Sequence, residues 1–144
     1  MKVPFGSEVL DAVVRIIVPA IFLFGAYVVL HGHYSPGGGF QGGVIFAVAF
    51  ILLRLVWGDR LRFGPSKEGA QLLASAGLSL FLLIGFLPLF WGGNFLNYGA
   101  VPLGASPITV RVILSLGAEI GIAIAVTGVI ILIYDSLIEE FVPR

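Results

Sequence analysis

The residue best placed to do chemistry is Glu119. It is the one acid set well inside a long apolar run, eight residues past Arg111. In a helix it therefore lies roughly 12 Å deep, at about 1.5 Å per residue. An ionised carboxylate there costs several kcal/mol unless it is paired. It must be protonated, paired or open to a wet cavity, and intramembrane acids of this kind serve as proton or cation relays. The plainer reading is a protonated acid that hydrogen-bonds a neighbouring helix. Ser115, Glu119, Ala123 and Thr127 follow one another at intervals of four. They form a slanting polar-to-small stripe on one helical face, which adds Ser115 and Thr127 as candidates for the same proton or cation path. Gly117 and Gly121 form a small-residue pair on roughly the opposite face. A helix marked on both faces wants protein on both sides.

The second constellation is the stretch from His31 to Gly43, HGHYSPGGGFQGG. Pro36 lacks an N–H and fixes φ, and the glycines beside it put no side-chain restraint on the backbone. The stretch reads as a tight turn with positive-φ positions. His31 and His33 could ligate a metal or titrate, but two residues at loop spacing make no site alone. The backbone N–H groups of Gly37–Gly43 could cradle an anion, yet the Lys and Ser/Thr that complete a P-loop are missing. The basic residues Arg54, Arg60, Arg62 and Lys67 could meet anionic lipid or a soluble partner; the simpler role is topogenic. There is no nucleophile–base arrangement and no metal cluster, so neither a catalytic site nor a metal site is expected.

The elements that must hold these residues are set by composition. The chain has 144 residues, 58% hydrophobic and 11% charged, with a mean hydropathy of +1.07. A soluble domain carries about 25% charged residues. So much apolar surface cannot be buried in one small soluble core, and the chain reads as an all-α integral membrane protein. A net charge of zero gives no reason to expect nucleic-acid binding, and the absence of cysteine excludes disulfides, Cys-ligated zinc and iron–sulfur clusters. No cofactor is expected.

Four apolar runs are long enough to cross roughly 30 Å of hydrocarbon. They cover about residues 12–30, 40–57, 69–91 and 111–134 of a single membrane domain, 1–144. Acids precede the first run and no cleavage site follows it, so the first helix is expected to be kept. Gly39, Gly43 and Ala47 put small residues on one face of the second span. Loop 92–107 has no charge but contains Gly92, Gly93, Asn94, Asn97, Pro102 and Pro107; it reads as an ordered, packed loop. The basic residues between spans two and three put that loop and both termini in the cytoplasm, and the glycine-rich turn on the outer side.

From Gly32 to Gly43 the sequence closely resembles the signature of the MrpB/MnhB subunits of multisubunit cation/proton antiporters. Those subunits show Gly-His, two variable residues, then Pro-Gly-Gly-Gly-Phe-Gln-Gly-Gly between their first two spans. Here the matching residues are His33, Pro36, Gly37, Gly38, Gly39, Phe40, Gln41, Gly42 and Gly43. The four-span layout extends the resemblance over almost the whole chain. Such subunits usually carry Asp where this chain has Glu119, followed by Gly121. The resemblance implies a small, non-catalytic subunit in the cell membrane, surrounded by lipid and by other antiporter-type subunits. It would help form the path for Na⁺ and H⁺, or act only as structural packing between larger pumping subunits. The same family serves free-standing antiporters and the antiporter-like arm of redox-driven complexes such as membrane-bound hydrogenases.

Overall fold

The computed structural model describes residues 8–32, 37–58 and 64–141, without the side chain of Phe141. Among these residues it is all helix and loop. The long helices are α1 (Glu8–Leu30), α2 (Gly39–Trp57), α3 (Lys67–Phe86) and α4 (Pro107–Phe141). All four are long and apolar enough to span a bilayer, α3 together with the 3₁₀ turn Leu87–Trp91 that continues it. Hydrocarbon enforces this choice, because a backbone without water must satisfy its own N–H and C=O groups. Pro19 is absorbed within α1, which runs on unbroken.

The helix ends follow local chemistry. Ser66 caps α3 by accepting from Gly69 N at 3.1 Å, and Ser106 Oγ accepts from Thr109 N at 3.2 Å at the start of α4. Pro107 then sits at the first helical position, where its missing N–H costs nothing. α2 stops at Gly58, whose φ of 50° is left-handed. Pro88 ends α3 by tightening the chain into the 3₁₀ turn, and Gly92 closes it at φ 73°.

The helices stand in the order α1, α2, α4, α3, so α4 lies between α2 and α3. α1 and α2 share a core of Val14, Val18, Ala49, Leu53 and Val56. Phe22 adds to it, with its ring 5.9 Å from Phe46 and edge-on to Phe50 at 5.0 Å. Ala47, Ala70 and Ile131 join α2, α3 and α4. The two small-residue faces of α4 are filled from within the chain. Gly43 lies against the Ala123 carbonyl, and Gly77 and Gly121 bring α3 and α4 together backbone to backbone. Stripes that could have served to dock neighbouring subunits are thus used internally, because small residues let two backbones approach.

Loop 92–106 folds back over the end of α3. Phe95 packs on Phe81 and Phe86, at 6.4 and 5.0 Å between ring centroids. Leu96 N donates to Gly85 O at 3.0 Å, and Gly99 lies against the Arg111 guanidinium. Burial pushes the Tyr98 phenol above its usual pKa.

Candidate functional site

The two constellations singled out above meet. α2 and α4 run in the same direction, and their register sets Glu119 against the described glycines of the turn. A Cβ added to Gly39 would stand 2.2 Å from the Glu119 carbonyl oxygen. One added to Gly32 would stand 2.4 Å from Glu119 Oε2 and 2.3 Å from Gly38 Cα. Both distances are far inside van der Waals contact, so only glycine fits at either place. Gly38 lines the carboxyl as well, and its φ of 114° with ψ of −160° lies in a region that L side chains avoid. The turn is therefore a wall shaped to Glu119. Its Oε2 is buried, while the residue as a whole is half-buried.

The electrostatics suit a carboxyl. It lies beside the first residues of α2, where the helix dipole presents its positive end. The first-turn amides point the same way, since Gly42 N is the first to donate back within the helix, to Gly38 O at 3.0 Å.

The other candidates sort by place along α4. Thr127, 5% exposed, donates its hydroxyl to Ala123 O at 2.7 Å and Gly43 O at 3.1 Å. A hydroxyl has one proton, so the bond is shared, and it straps α4 to α2 below the turn. Ser115 stands one turn before Glu119 on the same stripe and is half-buried. Among the remaining signature residues, Phe40 and Gln41 are exposed. Gly42 packs on Val29 and the Gly25 carbonyl, and Gly37 on Val28. His33 and Pro36 lie outside the described residues. His31 turns back onto its own helix, with Nδ1 3.1 Å from Tyr27 O and its ring stacked on Tyr27 at 4.2 Å. No group of three or more His, Asp or Glu gathers among the described residues.

The opposite end of the molecule carries the ion pairs found among the described residues. Arg54 of α2 pairs with Asp135 of α4 and also donates to Pro65 O. Lys67 meets Glu139, Arg15 meets Asp11, and Trp57 donates its indole N–H to Asp11. Arg15 also lies over the Trp57 ring, 5.5 Å from its centroid. Arg60 and Arg62 fall outside the described residues.

With this geometry in place, comparison with known proteins becomes informative. Residues 9–132 match the family described as a domain related to the MnhB subunit of Na⁺/H⁺ antiporter. A putative antiporter subunit mnhB2 of Staphylococcus saprophyticus is 34% identical over 137 residues, covering 92% of this chain and 94% of that protein. Proteins of the same name from Staphylococcus haemolyticus and Staphylococcus aureus (strain MRSA252) are 35% and 34% identical, with the same shares of both chains covered.

Proposed function

The chain belongs to the MnhB-related family of Na⁺/H⁺ antiporter subunits, and from that premise we propose that Glu119 and the glycine-rich turn form part of its ion path. The protein is a multi-pass membrane subunit of a multisubunit Na⁺/H⁺ antiporter, working in transport rather than in catalysis. Its neighbours are other membrane subunits of that assembly, and its place is the plasma membrane, with both termini in the cytoplasm. The positions of Arg15, Arg54 and Lys67, gathered at the end where α1 begins and α4 finishes, support this orientation.

One observation carries the reading. A carboxyl inside α4, level with the first residue of α2, sits in a cradle of glycine backbone at a helix N-terminus. Had packing been the only need, an apolar side chain at position 119 would meet it without the cost of burying a carboxyl. A carboxyl can instead exchange a proton or meet a cation, and the glycines let backbone stand directly against it. The competing reading is a purely structural subunit, favoured by the close backbone packing at Gly43, Gly77 and Gly121.

The deciding experiment is Glu119→Gln in the complete antiporter. Gln keeps size and hydrogen bonding but cannot ionise. The expected result is loss of Na⁺/H⁺ exchange in membrane vesicles while the subunit still co-purifies with its partners. Undiminished exchange would remove Glu119 from the path and leave the structural reading.

A further inference from the structure

Glu8, Asp11, Arg15, Pro19 and Phe22 follow one another along α1 at intervals of three and four, so they share one face of the helix. The face opens with two acids, passes one base and turns apolar. Beside it, α1 and α2 leave a groove of about 660 Å³, lined by Val14, Val18, Pro19, Phe22 and Leu23 from α1 and by Leu53 from α2. Arg15 and Trp57 stand at its mouth. Leu23 lies about 12 Å along the helix from Arg15, at 1.5 Å per residue. Half of a bilayer's hydrocarbon is about 15 Å deep, so the groove is nearly as long as one leaflet. The mouth is held by several contacts. Arg15 Nε donates to Asp11 Oδ2 at 2.8 Å, and its guanidinium lies 5.5 Å from the centre of the Trp57 ring. The Trp57 indole N–H donates to the other Asp11 oxygen. The Arg15 side chain is nevertheless 67% exposed, and a guanidinium carries five N–H donors. Its terminal nitrogens can therefore serve a further acceptor.

We propose that this groove binds a zwitterionic phospholipid with a primary ammonium, phosphatidylethanolamine, with one acyl chain laid between α1 and α2. The order of groups along the face matches the order along the lipid. The chain meets the apolar residues from Val14 to Leu23, and the phosphate meets Arg15. The ammonium, at the outer tip of the head group, meets Asp11 and the exposed Glu8 beyond it. A guanidinium suits phosphate because its planar fork presents several N–H groups at once. A carboxylate suits a primary ammonium because it accepts charge-assisted hydrogen bonds. Charge selects against other head groups. Among the described residues of this face, two acids accompany one base. A head group with net negative charge is therefore repelled, whereas one that carries both signs is matched. A choline head group has no N–H to give to the acids, and its usual partner is an aromatic face. Here Arg15 already lies over the Trp57 ring. The site stands at the ion-paired end of the bundle and does not depend on the role of Glu119.

Three photoreactive lipids test the site in the complete antiporter reconstituted in vesicles. Each carries a diazirine midway along one chain, and the head groups are ethanolamine, choline and glycerol. After irradiation, the labelled residues are located by mass, and the label on residues 14–23 is taken as a share of all label on the complex. The ethanolamine lipid is expected to give a share at least about fivefold that of either other lipid, the selectivity of one or two charge-assisted contacts. Arg15→Gln should lower that share to the choline level. Glu8→Gln, at an exposed position, should lower the ethanolamine share and raise that of the anionic glycerol lipid, while the subunit still co-purifies. Equal shares from the three lipids overturn the proposal, since lipid then merely coats the groove. A larger share from the glycerol lipid in the unaltered protein overturns the match of both signs. Label that reaches the groove only after the complex is dissociated also overturns it, because a partner subunit then fills the groove. So does an unaltered pattern in both variants.

Discussion

The two ends of this bundle handle carboxylates in opposite ways. At the charged end, Asp135 meets Arg54, Asp11 meets Arg15 and Glu139 meets Lys67. Side chain meets side chain, and each contact ties one helix to another or one turn to the next. At the glycine end, the carboxyl of Glu119 lies against main chain at Gly32 and Gly38, and Gly39 lies against the Glu119 backbone. A paired carboxylate is a fastener, fixed by its cation. A carboxyl walled by glycine is held in place by the fit of backbone around it. One end of α4 is thus fixed by ion pairing while a site nearer its other end is fixed by steric fit, and the two should fail differently when altered.

The largest effect is expected at the steric end. Gly39→Leu drives a side chain into the Glu119 carbonyl, backbone against backbone, where nothing flexible can yield. The cost is expected above about 3 kcal/mol, beyond ordinary core overpacking. The variant subunit should be missing from the purified complex, whereas Glu119→Gln should remain. If Gly39→Leu assembles normally, the cradle does not set the α2–α4 fit.

Next comes the ion-paired end. The Arg54 and Asp135 side chains are 16% and 18% exposed, so Arg54→Met strands a carboxylate with little water. Breaking one partner of a buried pair costs about 3 kcal/mol. The thermal midpoint of the detergent-solubilised complex should fall, and Arg54→Met with Asp135→Leu should restore most of it. A double variant no more stable than the single one would show that the pair is not the fastener. Transport should survive in the double variant, because the fastener lies far from Glu119.

Much of this was legible in the residues, and the rest depended on register. Four apolar runs and the scarcity of charge fix a four-helix membrane protein before any contact is known. Glu119 stands out because one acid among apolar residues is energetically conspicuous. Its meeting with the glycine-rich turn was not legible locally, since nothing in either stretch names the other. A longer-range signal was present. Gly39 stands fifteen residues before Arg54, and Glu119 sixteen before Asp135. If two parallel helices join Arg54 to Asp135, equal rise per residue brings Gly39 beside Glu119. The stripes Gly39–Gly43–Ala47 and Glu119–Ala123–Thr127 then lie face to face. Taken one helix at a time, those stripes pointed to neighbouring subunits, because periodicity marks a packing face without saying what fills it. Thr127 shows the same limit: its spacing puts it on the stripe with Glu119, but the hydroxyl is already committed to the Ala123 and Gly43 carbonyls.

Gly38→Ala gives a smaller effect that sharpens the comparison from inside the cradle. Here the problem is conformation, since a φ of 114° with ψ near −160° suits almost only glycine. The expected loss is about 2 kcal/mol, seen as a lower thermal midpoint with the complex still recovered. The added methyl also comes close to the Glu119 carboxyl, 3.5 Å from Oε2. Transport should therefore fall by more than the loss of assembled complex explains. A drop in stability with full transport per assembled complex would make the turn a scaffold only.

The smallest effect belongs to Lys67, and it tests whether pairing alone makes a fastener. Lys67 Nζ lies 2.5 Å from Glu139 Oε2, joining α3 to α4 by geometry as close as that of many buried pairs. Yet the two side chains are 46% and 51% exposed, so water screens both charges and the long side chains lose freedom by pairing. An exposed pair of this kind contributes at most about 0.5 kcal/mol. Lys67→Met should leave the thermal midpoint nearly unchanged at moderate salt, and any difference should shrink as salt rises. A loss as large as that of Arg54→Met would mean that a partner subunit covers this pair in the assembled antiporter. The division between the two ends would then rest on the whole complex rather than on this chain, because only exclusion of water turns a surface pair into a fastener.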